Sequence, residues 1–182
     1  MFEDVQQRKT PAWANGVALI IGIGILGFAG YKIYQYFSDK VEKREEEQTK
    51  KDAKTELNNE LKAGATLSND NSVYDATANF IQVSLDGAET NQTELEVIKK
   101  IAEVVQNKAD WLKLIVTFGV RDIGDALSPT STSYDLPTLL ADQLDTSIIL
   151  TSTNIAGKTY SGYYSNTIDI LKDIFKRKNI TF

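Results

Sequence analysis

Residues 91–119, NQTELEVIKKIAEVVQNKADWLKLIVTFG, carry the pattern that decides the fold. Their apolar residues recur at intervals of three and four, which is the spacing of one helix face. The first face consists of Leu95, Ile98, Ile101, Ala102 and Val105. Asn107 is expected to end this helix, Asp110 to cap a second one, and Gly119 to terminate the second. The second helix carries Trp111, Leu112, Leu114, Ile115 and Phe118, so the segment predicts a helical hairpin with an apolar seam.

The flanking sequence extends this pattern to a mainly α-helical soluble domain over residues 65–182. Asn71 or Ser72 is expected to cap a helix that begins near Val73 and closes at Gly87. Its predicted apolar face is Val73, Ala76, Phe80, Ile81 and Leu85. Residues 135–144, DLPTLLADQL, predict a short amphipathic helix. Ser165 or Asn166 is expected to cap the last helix, whose apolar face is Ile168, Leu171, Ile174 and Phe175.

Residues 128–167 change character and are rich in Ser, Thr, Tyr and Ile. We predict a loop over 128–134. Ser147–Thr151 and Lys158–Tyr164 have strand-forming composition and flank a glycine-containing turn, which predicts a short β-hairpin. Extended loops packed on the helices fit the same composition. Tyrosine is common at protein interfaces, and the candidate partner contacts are Tyr134, Tyr160, Tyr163 and Tyr164, with packing against the domain as the alternative.

The N-terminal part carries an apolar segment, WANGVALIIGIGILGFAGY, of 19 uncharged residues at 13–31. A helix of that length spans about 28 Å, close to the hydrocarbon thickness of a bilayer. Trp13 and Tyr31 stand at its ends, where amphipathic rings favour the membrane–water interface. We therefore predict a tail over residues 1–12 and a transmembrane helix over 13–37. A cleaved signal peptide and a buried core helix are the alternatives.

Flanking cations predict the orientation of this helix. Two precede it, Arg8 and Lys9, and more follow it, namely Lys32, Lys40, Lys43, Arg44, Lys50 and Lys51. The positive-inside rule then places the N-terminus outside and the C-terminal domain inside, in a virion membrane or a bacterial inner membrane. Small residues at Ala18, Gly22 and Gly30 predict close helix–helix packing in lipid, and hence a homo-oligomer through this segment.

A charged stretch over residues 38–64 links the two parts. Glu46 precedes Lys50, and Glu47 precedes Lys51, at the i,i+4 spacing that stabilises an exposed helix. We predict a solvated helical stalk that ends with Leu57, Leu61 and Gly64. Residues 1–54 hold 9 basic and 8 acidic residues, whereas residues 55–182 hold 11 and 17, so the acidic balance lies in the domain.

Composition excludes several function classes. The chain has no Cys and no His, which removes disulfides, thiolate sites, His-based triads and the usual zinc ligands. A net charge of −5 argues against a nucleic-acid partner. Carboxylates alone can cleave a glycosidic bond, but none stands in a recognisable glycosidase motif. We therefore expect a protein without enzymatic activity and without a cofactor.

Residues 84–127 resemble part of an annexin-type repeat. The resemblance rests on a small-residue loop and an aromatic–Gly–Arg–Asp turn, with comparable positions at Gly87, Thr90, Trp111, Phe118, Gly119, Arg121 and Asp122. It is closest to the degenerate single annexin-like domains encoded by Bacteroidota and their phages. The resemblance implies a small helical bundle in which a further helix follows the Arg–Asp turn.

Calcium binding does not follow from this resemblance. The family's loop has the pattern Gly-x-Gly-Thr, whereas residues 85–90 read LDGAET and lack one glycine. Asp122 or Asp125 is the candidate carboxylate, but a calcium site needs six or more oxygens. We expect no metal here. We expect Arg121 and Asp122 to form a structural pair that holds the turn, and Arg121 to bond open helix ends if it is partly buried.

These observations predict a single-pass membrane-anchored structural or assembly protein. The phage-type resemblance and the anchor–stalk–domain plan indicate a minor virion protein that links a membrane to a protein shell. Its partners would be lipid through residues 13–37 and capsid or other virion proteins through the domain. The alternative is a bacterial envelope or lysis-associated protein that binds lipid or peptidoglycan.

Overall fold

A computed structural model describes residues 47–86, 90–124 and 131–182. The predicted tail and transmembrane helix, with Trp13, Ala18, Gly22, Gly30 and Tyr31, lie outside the described residues. In the described part of the chain, no helix is both long enough and apolar enough to cross a bilayer. This part is mostly helical, with two small antiparallel hairpins.

The elements follow one another in a mixed order. The helices are α1 over residues 47–62, α2 (Asn71–Leu85), α3 (Asn91–Val104), α4 (Lys108–Phe118), α5 (Leu136–Gln143) and α6 (Ile168–Arg177). The strands are β1 (Val120–Gly124), β2 (Ser131–Asp135), β3 (Ile148–Ile155) and β4 (Lys158–Tyr164). α2 packs on α3 and α4, and α6 packs on α3, so these four helices surround the centre of the core. Buried side chains of α1, α5 and the β3–β4 hairpin belong to the same core.

The predicted hairpin of α3 and α4 is confirmed, although the cap between them is shifted. Asn107 was expected to end α3, but α3 ends at Val104 and Asn107 is the N-cap of α4. Its side chain accepts the Asp110 N–H, and the Asp110 carboxylate accepts the Asn107 N–H in return. Asn107 takes the cap because its backbone is extended, with φ −148°, whereas Asp110 is already helical.

Gly119 ends α4 as predicted. Its φ of +64° lies in the left-handed region, and its N–H donates to the Ile115 carbonyl at 2.9 Å. The Trp111 side chain is only 4% exposed and lies inside an aromatic cluster. Its ring centroid is 4.9 Å from that of Phe175 and 5.9 Å from that of Phe182. The apolar face predicted for α6, which supplies Phe175, is buried as well.

The predicted faces and caps of α2 and α6 need correction. The buried face of α2 consists of Tyr74, Thr77, Ala78, Ile81 and Leu85, so Ala76 and Phe80 point outward. Its N-cap is Asp70 rather than Asn71 or Ser72, and Gly87 lies outside the described residues. The N-cap of α6 is Thr167, whose hydroxyl bonds the Glu94 carboxylate and the Leu144 carbonyl instead of its own helix.

The segment predicted as a solvated helical stalk is helical over residues 47–62, but one side of this helix is buried rather than solvated. Ala53 and Leu57 of α1 are 6% and 7% exposed and belong to the core. The Lys108 ammonium of α4 pairs with Glu56 at 2.6 Å and with Glu60 at 2.8 Å. A helix with even two buried apolar positions gains more from packing than from solvation, because its exposed ion pairs contribute only tenths of a kcal/mol. α1 is therefore part of the folded unit.

The hairpin of β1 and β2 was not predicted. Val120 pairs with Asp135 and Gly124 pairs with Ser131, so residues expected to form a loop supply a strand. The Arg121–Asp122 stretch lies in β1, where the annexin-type resemblance implied a turn before a helix. A strand of Ser, Thr and Tyr has little apolar alternation, and only its pairing with β1 identifies it.

The predicted hairpin of β3 and β4 is confirmed, and β3 extends further than expected, to Ile155. Ala156 and Gly157 have φ values of +50° and +76° between the closing pair Ile155 and Lys158. Two positive φ angles are the mark of the tight turn that matches strand twist in a hairpin. Pairing is irregular between Leu150 and Thr153.

Candidate functional site: an exposed hairpin surface and a cleft

The four predicted contact tyrosines occupy different environments. Tyr134 lies on β2, is half-buried, and donates its hydroxyl to Asp142 at 2.7 Å. Tyr160 is 2% exposed, Tyr164 is half-buried, and Tyr163 is 67% exposed. Tyr163 is thus the member of the set that presents its ring to solvent, and the structure does not join the four into one surface.

Tyr160 attaches the β3–β4 hairpin to α6. Its hydroxyl donates to the Asp173 carboxylate at 2.7 Å and accepts from Arg177 at 2.8 Å, and Lys158 pairs with Asp173 at 3.0 Å. Burial and the bond to Asp173 raise the pKa of Tyr160 to about 12. Hydrogen bonds from Tyr160 and Lys158 lower the pKa of Asp173 below its usual value. The prediction of Tyr160 as a partner contact is therefore corrected, because its ring and hydroxyl are used inside the domain.

The opposite face of the same hairpin is exposed. Ile149 and Tyr163 are directly opposite cross-strand neighbours, and they are 75% and 67% exposed. Thr151 and Ser161 follow on the same face at the two-residue period of a strand, and both are exposed. We call these four residues the hairpin surface. Sequence reasoning missed Ile149, because it stands in the unbroken apolar run Ile148–Leu150 that hides which residue faces outward.

The hairpin surface lies in a charge-poor stretch of an acidic protein. Between Thr146 and Ile168, Lys158 is the only charged residue, and it pairs with Asp173. One residue in four is charged over the whole chain. The centres of protein–protein interfaces are likewise depleted of charge and enriched in aromatic residues. This composition makes the hairpin surface suited to a protein contact.

Arg121 and Asp122 do not form the predicted pair, because neighbouring residues of a strand face opposite sides. Arg121 donates to the Phe118 carbonyl at 3.0 Å and to the Gln82 side chain at 2.7 Å. The bond to Phe118 satisfies an open carbonyl at the end of α4, as expected for a partly buried arginine. Asp122 accepts the Ser133 hydroxyl at 2.6 Å across the β1–β2 hairpin. Both residues are structural.

Two buried carboxylates act as structural centres that the sequence did not reveal. Glu94 is fully buried and accepts the hydroxyls of Thr146 and Thr167, which ties α3 to the start of α6. Asp110 is also fully buried and joins α2, α4 and the segment before α2. Neither carboxylate lines the cleft described next.

A cleft of about 510 Å³ lies between α1, α4, α5 and the end of the chain. Trp111, Ile115 and Phe182 supply apolar and aromatic lining, while Asp52, Glu56 and Lys108 supply charged groups. Its size falls within the range of small-molecule sites. The Lys108 ammonium is already shared between Glu56 and Glu60, so it holds the cleft wall in place.

No group of three or more acidic side chains within the described residues could hold a metal ion. Of the candidate calcium residues, Asp122 is placed on β1, whereas Asp125 and residues 87–89 of the loop lie outside the described residues. Comparisons with protein-family models, curated proteins and solved structures gave no match.

Proposed function

We propose that this chain is a single-pass membrane-anchored assembly protein without catalytic activity, whose domain binds another protein through the hairpin surface. The observation that carries the proposal is the exposed Ile149–Tyr163 pair on a stretch with one charged residue in twenty-three. Burying an unpaired charge is costly. Because the hairpin surface carries no charge, covering it with a partner does not incur that desolvation cost. The domain is the binding part, and the apolar segment is the anchor.

The anchor proposal is supported by the 19 uncharged residues at 13–31 and by the aromatic residues at their ends. Fifteen residues separate Tyr31 from residue 47, where the described part of α1 begins. Because α1 packs into the domain, the segment between the proposed anchor and the domain is shorter than the stalk predicted over residues 38–64. An orientation with the domain inside follows from the cations at residues 32–51.

Within this class, we place the protein among minor virion proteins that link a membrane to a protein shell. The support is the sequence resemblance of residues 84–127 to annexin-like domains encoded by Bacteroidota and their phages, together with an anchor-and-domain plan. β1 stands where the resemblance implied a turn and a further helix, so the support comes from the stretch before it. The net charge of −5 favours protein and lipid partners over nucleic acid. The small residues Ala18, Gly22 and Gly30 support self-association of the apolar segment within the bilayer.

Membrane insertion is tested with Ile23→Arg in the full chain. Arginine at mid-span costs roughly 2.5–3.5 kcal/mol on insertion scales, so we expect the protein to move to the soluble fraction. Val83→Arg, at a 76% exposed position of α2, is the control and should stay with the membrane after carbonate extraction. Carbonate-resistant pelleting of a chain that lacks residues 1–37 would show that the anchor lies elsewhere.

The virion role is tested by the content of purified particles. We expect the chain at a fixed copy number per particle, and we expect Tyr163→Glu to lower that number while Val83→Glu leaves it unchanged. Both substitutions add one carboxylate at an exposed position, one on the hairpin surface and one on α2. Absence of the chain from particles, or equal incorporation of both variants, contradicts this role for the hairpin surface.

The cleft favours a second candidate, an envelope protein that binds lipid or peptidoglycan fragments. Its aromatic and charged lining suits a small ligand with apolar and polar groups. With Trp13→Phe, Trp111 becomes the sole tryptophan, and its emission reports on the cleft that it lines. A saturable change on adding muropeptides or anionic vesicles, lost in Phe182→Ala but kept in Val83→Ala, would favour this candidate over the first.

A further inference from the structure

The cleft between α1, α4, α5 and the end of the chain contains a buried hydrogen-bond donor without a partner. Trp111 is 4% exposed, and its ring lies against Phe175 and Phe182, neither of which has a side-chain acceptor. Within the described residues its indole N–H donates to no group, although buried tryptophan N–H groups usually find a partner. Because Trp111 lines the cleft, the cleft is the space from which an acceptor on a ligand can reach this donor.

The charged groups of the cleft leave an excess of negative charge. Asp52 and Glu56 lie one turn apart on α1 and line the same wall. In the described part of the chain, the Asp52 carboxylate bonds the Gln48 amide at 2.7 Å and has no cation beside it. Among the lining residues Lys108 is the cation, and it is shared between Glu56 at 2.6 Å and Glu60 at 2.8 Å. The wall and its immediate neighbours thus hold three carboxylates for one ammonium, which favours a cationic ligand.

The two features that could attract an anion are already used. Hydrogen bonds to its two glutamate partners raise the pKa of Lys108 above its usual value, so its charge is held by the protein. The N-terminus of α5 reaches the cleft at Pro137, which has no N–H to donate, and the Asp135 carboxylate accepts the Thr138 N–H there at 2.8 Å. An anion would displace a carboxylate at either place, whereas a cation adds to Asp52 without displacing one.

We propose that the cleft is a binding site for a small amphipathic amine, whose ammonium group lies at Asp52 and Glu56. An oxygen acceptor of the same ligand bonds the indole N–H of Trp111, and its apolar part packs on Phe182, which is 37% exposed. The volume of about 510 Å³ accommodates a ligand of this size.

This assignment rests on the second candidate function, since it names the class of ligand that the cleft takes. Two sources carry an ammonium group close to oxygen acceptors and are consistent with that function. One is the headgroup of an aminolipid, and the other is a peptidoglycan stem peptide with a free side-chain amine. The binding chemistry is the same for both, so competition between them has to identify the source.

The test uses full-length Trp13→Phe protein in maltoside micelles, in which Trp111 is the sole tryptophan. Three probes share one aromatic ring and differ in charge: phenylalanine amide is a cation, N-acetylphenylalanine amide is neutral, and N-acetylphenylalanine is an anion. We expect phenylalanine amide to bind saturably with a Kd of about 2 mM. The other two should bind at least about tenfold more weakly. The Trp111 indole N–H should exchange with water more slowly in the complex, because it then donates a hydrogen bond.

Matched variants locate the site. Asp52→Asn should weaken the binding of phenylalanine amide about fivefold, the upper range for an ion pair with an exposed carboxylate. Asp169→Asn removes an exposed carboxylate of α6 that does not line the cleft, and it should leave the affinity unchanged. Both positions are exposed, so both variants should stay folded. Equal affinities for the three probes, equal losses in the two variants, or no saturable binding of phenylalanine amide would each overturn the proposal.

Competition identifies the source and separates the two possible failures. Dioctanoylphosphatidylethanolamine and a muropeptide with a free side-chain amine are each titrated against bound phenylalanine amide, and the one that displaces it at the lower concentration is the source. If neither displaces it, the second candidate function is refuted and the amine site stands. A response of Trp111 emission to anionic vesicles, without one to phenylalanine amide, refutes the amine site alone.

Discussion

The sharpest test of the fold is the removal of one charge, in Asp110→Asn. Asp110 is fully buried in the first turn of α4. One carboxylate oxygen accepts the Ser68 N–H at 2.8 Å and the Tyr74 hydroxyl at 2.5 Å. The other accepts the backbone N–H groups of Gln106 at 2.9 Å and Asn107 at 3.2 Å. One side chain thus holds α2, the segment before it and the α3–α4 junction together.

The magnitude follows from what asparagine can accept. Asparagine keeps one oxygen that can accept hydrogen bonds, but its NH₂ group can only donate them. The backbone N–H groups of Gln106 and Asn107 therefore lose their acceptor. Each hydrogen bond to a charged group contributes roughly 1.5–3 kcal/mol. Taking the lower value for both, we expect Asp110→Asn to lower the free energy of unfolding by about 3 kcal/mol at pH 7. Tyr74→Phe removes one donor to the same carboxylate and should lower it by about 1.5 kcal/mol.

The effect depends on pH with a definite sign. Burial alone would raise the pKa of Asp110, but the hydrogen bonds from Ser68, Tyr74 and Gln106 outweigh it and lower the pKa below the usual 3.8. A carboxyl whose pKa is lower in the folded state stabilises the fold above its unfolded pKa and loses that contribution as pH falls through the folded value. The wild type should therefore lose stability in acid faster than Asp110→Asn. The difference in free energy of unfolding between the wild type and Asp110→Asn should become smaller below a pH of about 4.

The assay is urea unfolding of residues 43–182, followed by far-ultraviolet circular dichroism from pH 7 to pH 3. Asp75→Asn is the matched control, because Asp75 is an exposed carboxylate on α2 and its loss should change stability by less than about 0.5 kcal/mol. Other carboxyls with lowered pKa, such as Asp173, titrate equally in both proteins and cancel in the difference. The hydrogen-bonding argument is refuted if Asp110→Asn and Asp75→Asn unfold at the same urea concentration. It is also refuted if the stability difference between the wild type and Asp110→Asn stays constant from pH 7 to pH 3.

Three further predictions concern packing, boundaries and ions. Trp111→Ala should lower the free energy of unfolding by roughly 3–5 kcal/mol, since the ring is 4% exposed, and an unchanged urea midpoint would contradict its burial. Residues 65–182 should be less stable than residues 43–182 by roughly 2–3 kcal/mol, because the fragment loses the buried Leu57, and equal melting temperatures would restore the stalk interpretation. Millimolar calcium should leave the melting temperature nearly unchanged, and a saturable rise that Asp122→Asn abolishes would overturn this expectation.

Local signals in the sequence were enough to predict the helices. The three-and-four spacing from Leu95 to Val105 identifies α3, because a single buried face imposes that period whatever packs against it. Gly119 identifies the end of α4, because the left-handed conformation found there is unfavourable for residues with a Cβ. The glycine-containing turn between two strand-forming segments favoured the β3–β4 hairpin, but extended loops fitted the same composition.

Features that depend on distant partners were not predictable. Residues 131–135 become a strand only because residues 120–124 pair with them. Arg121 binds α2 residues about forty positions away, which no spacing rule connects to it. α1 was interpreted as a stalk because its sequence is charged, while the burial of Leu57 depends on the surface that α4 offers to it.

The hairpin surface could be predicted only in part, because it depends both on local strand alternation and on contacts with a distant helix. Strand alternation says that Tyr160 and Tyr163 face opposite sides, but it does not say which side the core covers. That choice is made by Asp173 and Arg177 of α6, which bind the Tyr160 hydroxyl. Composition alone therefore gave a set of tyrosines, and only the helix beneath the hairpin selects Tyr163 as the exposed one.

The contacts on the buried side of the β3–β4 hairpin fix the register of its strands, and the register fixes the side on which Ile149 and Tyr163 lie. A register slip of one residue would turn every side chain to the other face, exposing Tyr160 and breaking its bonds to Asp173 and Arg177. The buried side thereby fixes the direction of Ile149 and Tyr163, although neither residue gains from folding. Because the strand backbone beneath them is already ordered, a partner that covers them does not have to order that backbone on binding. The structural clamp on α6 thus strengthens any contact made by the opposite face, and loosening it with Tyr160→Phe would weaken that contact without touching it.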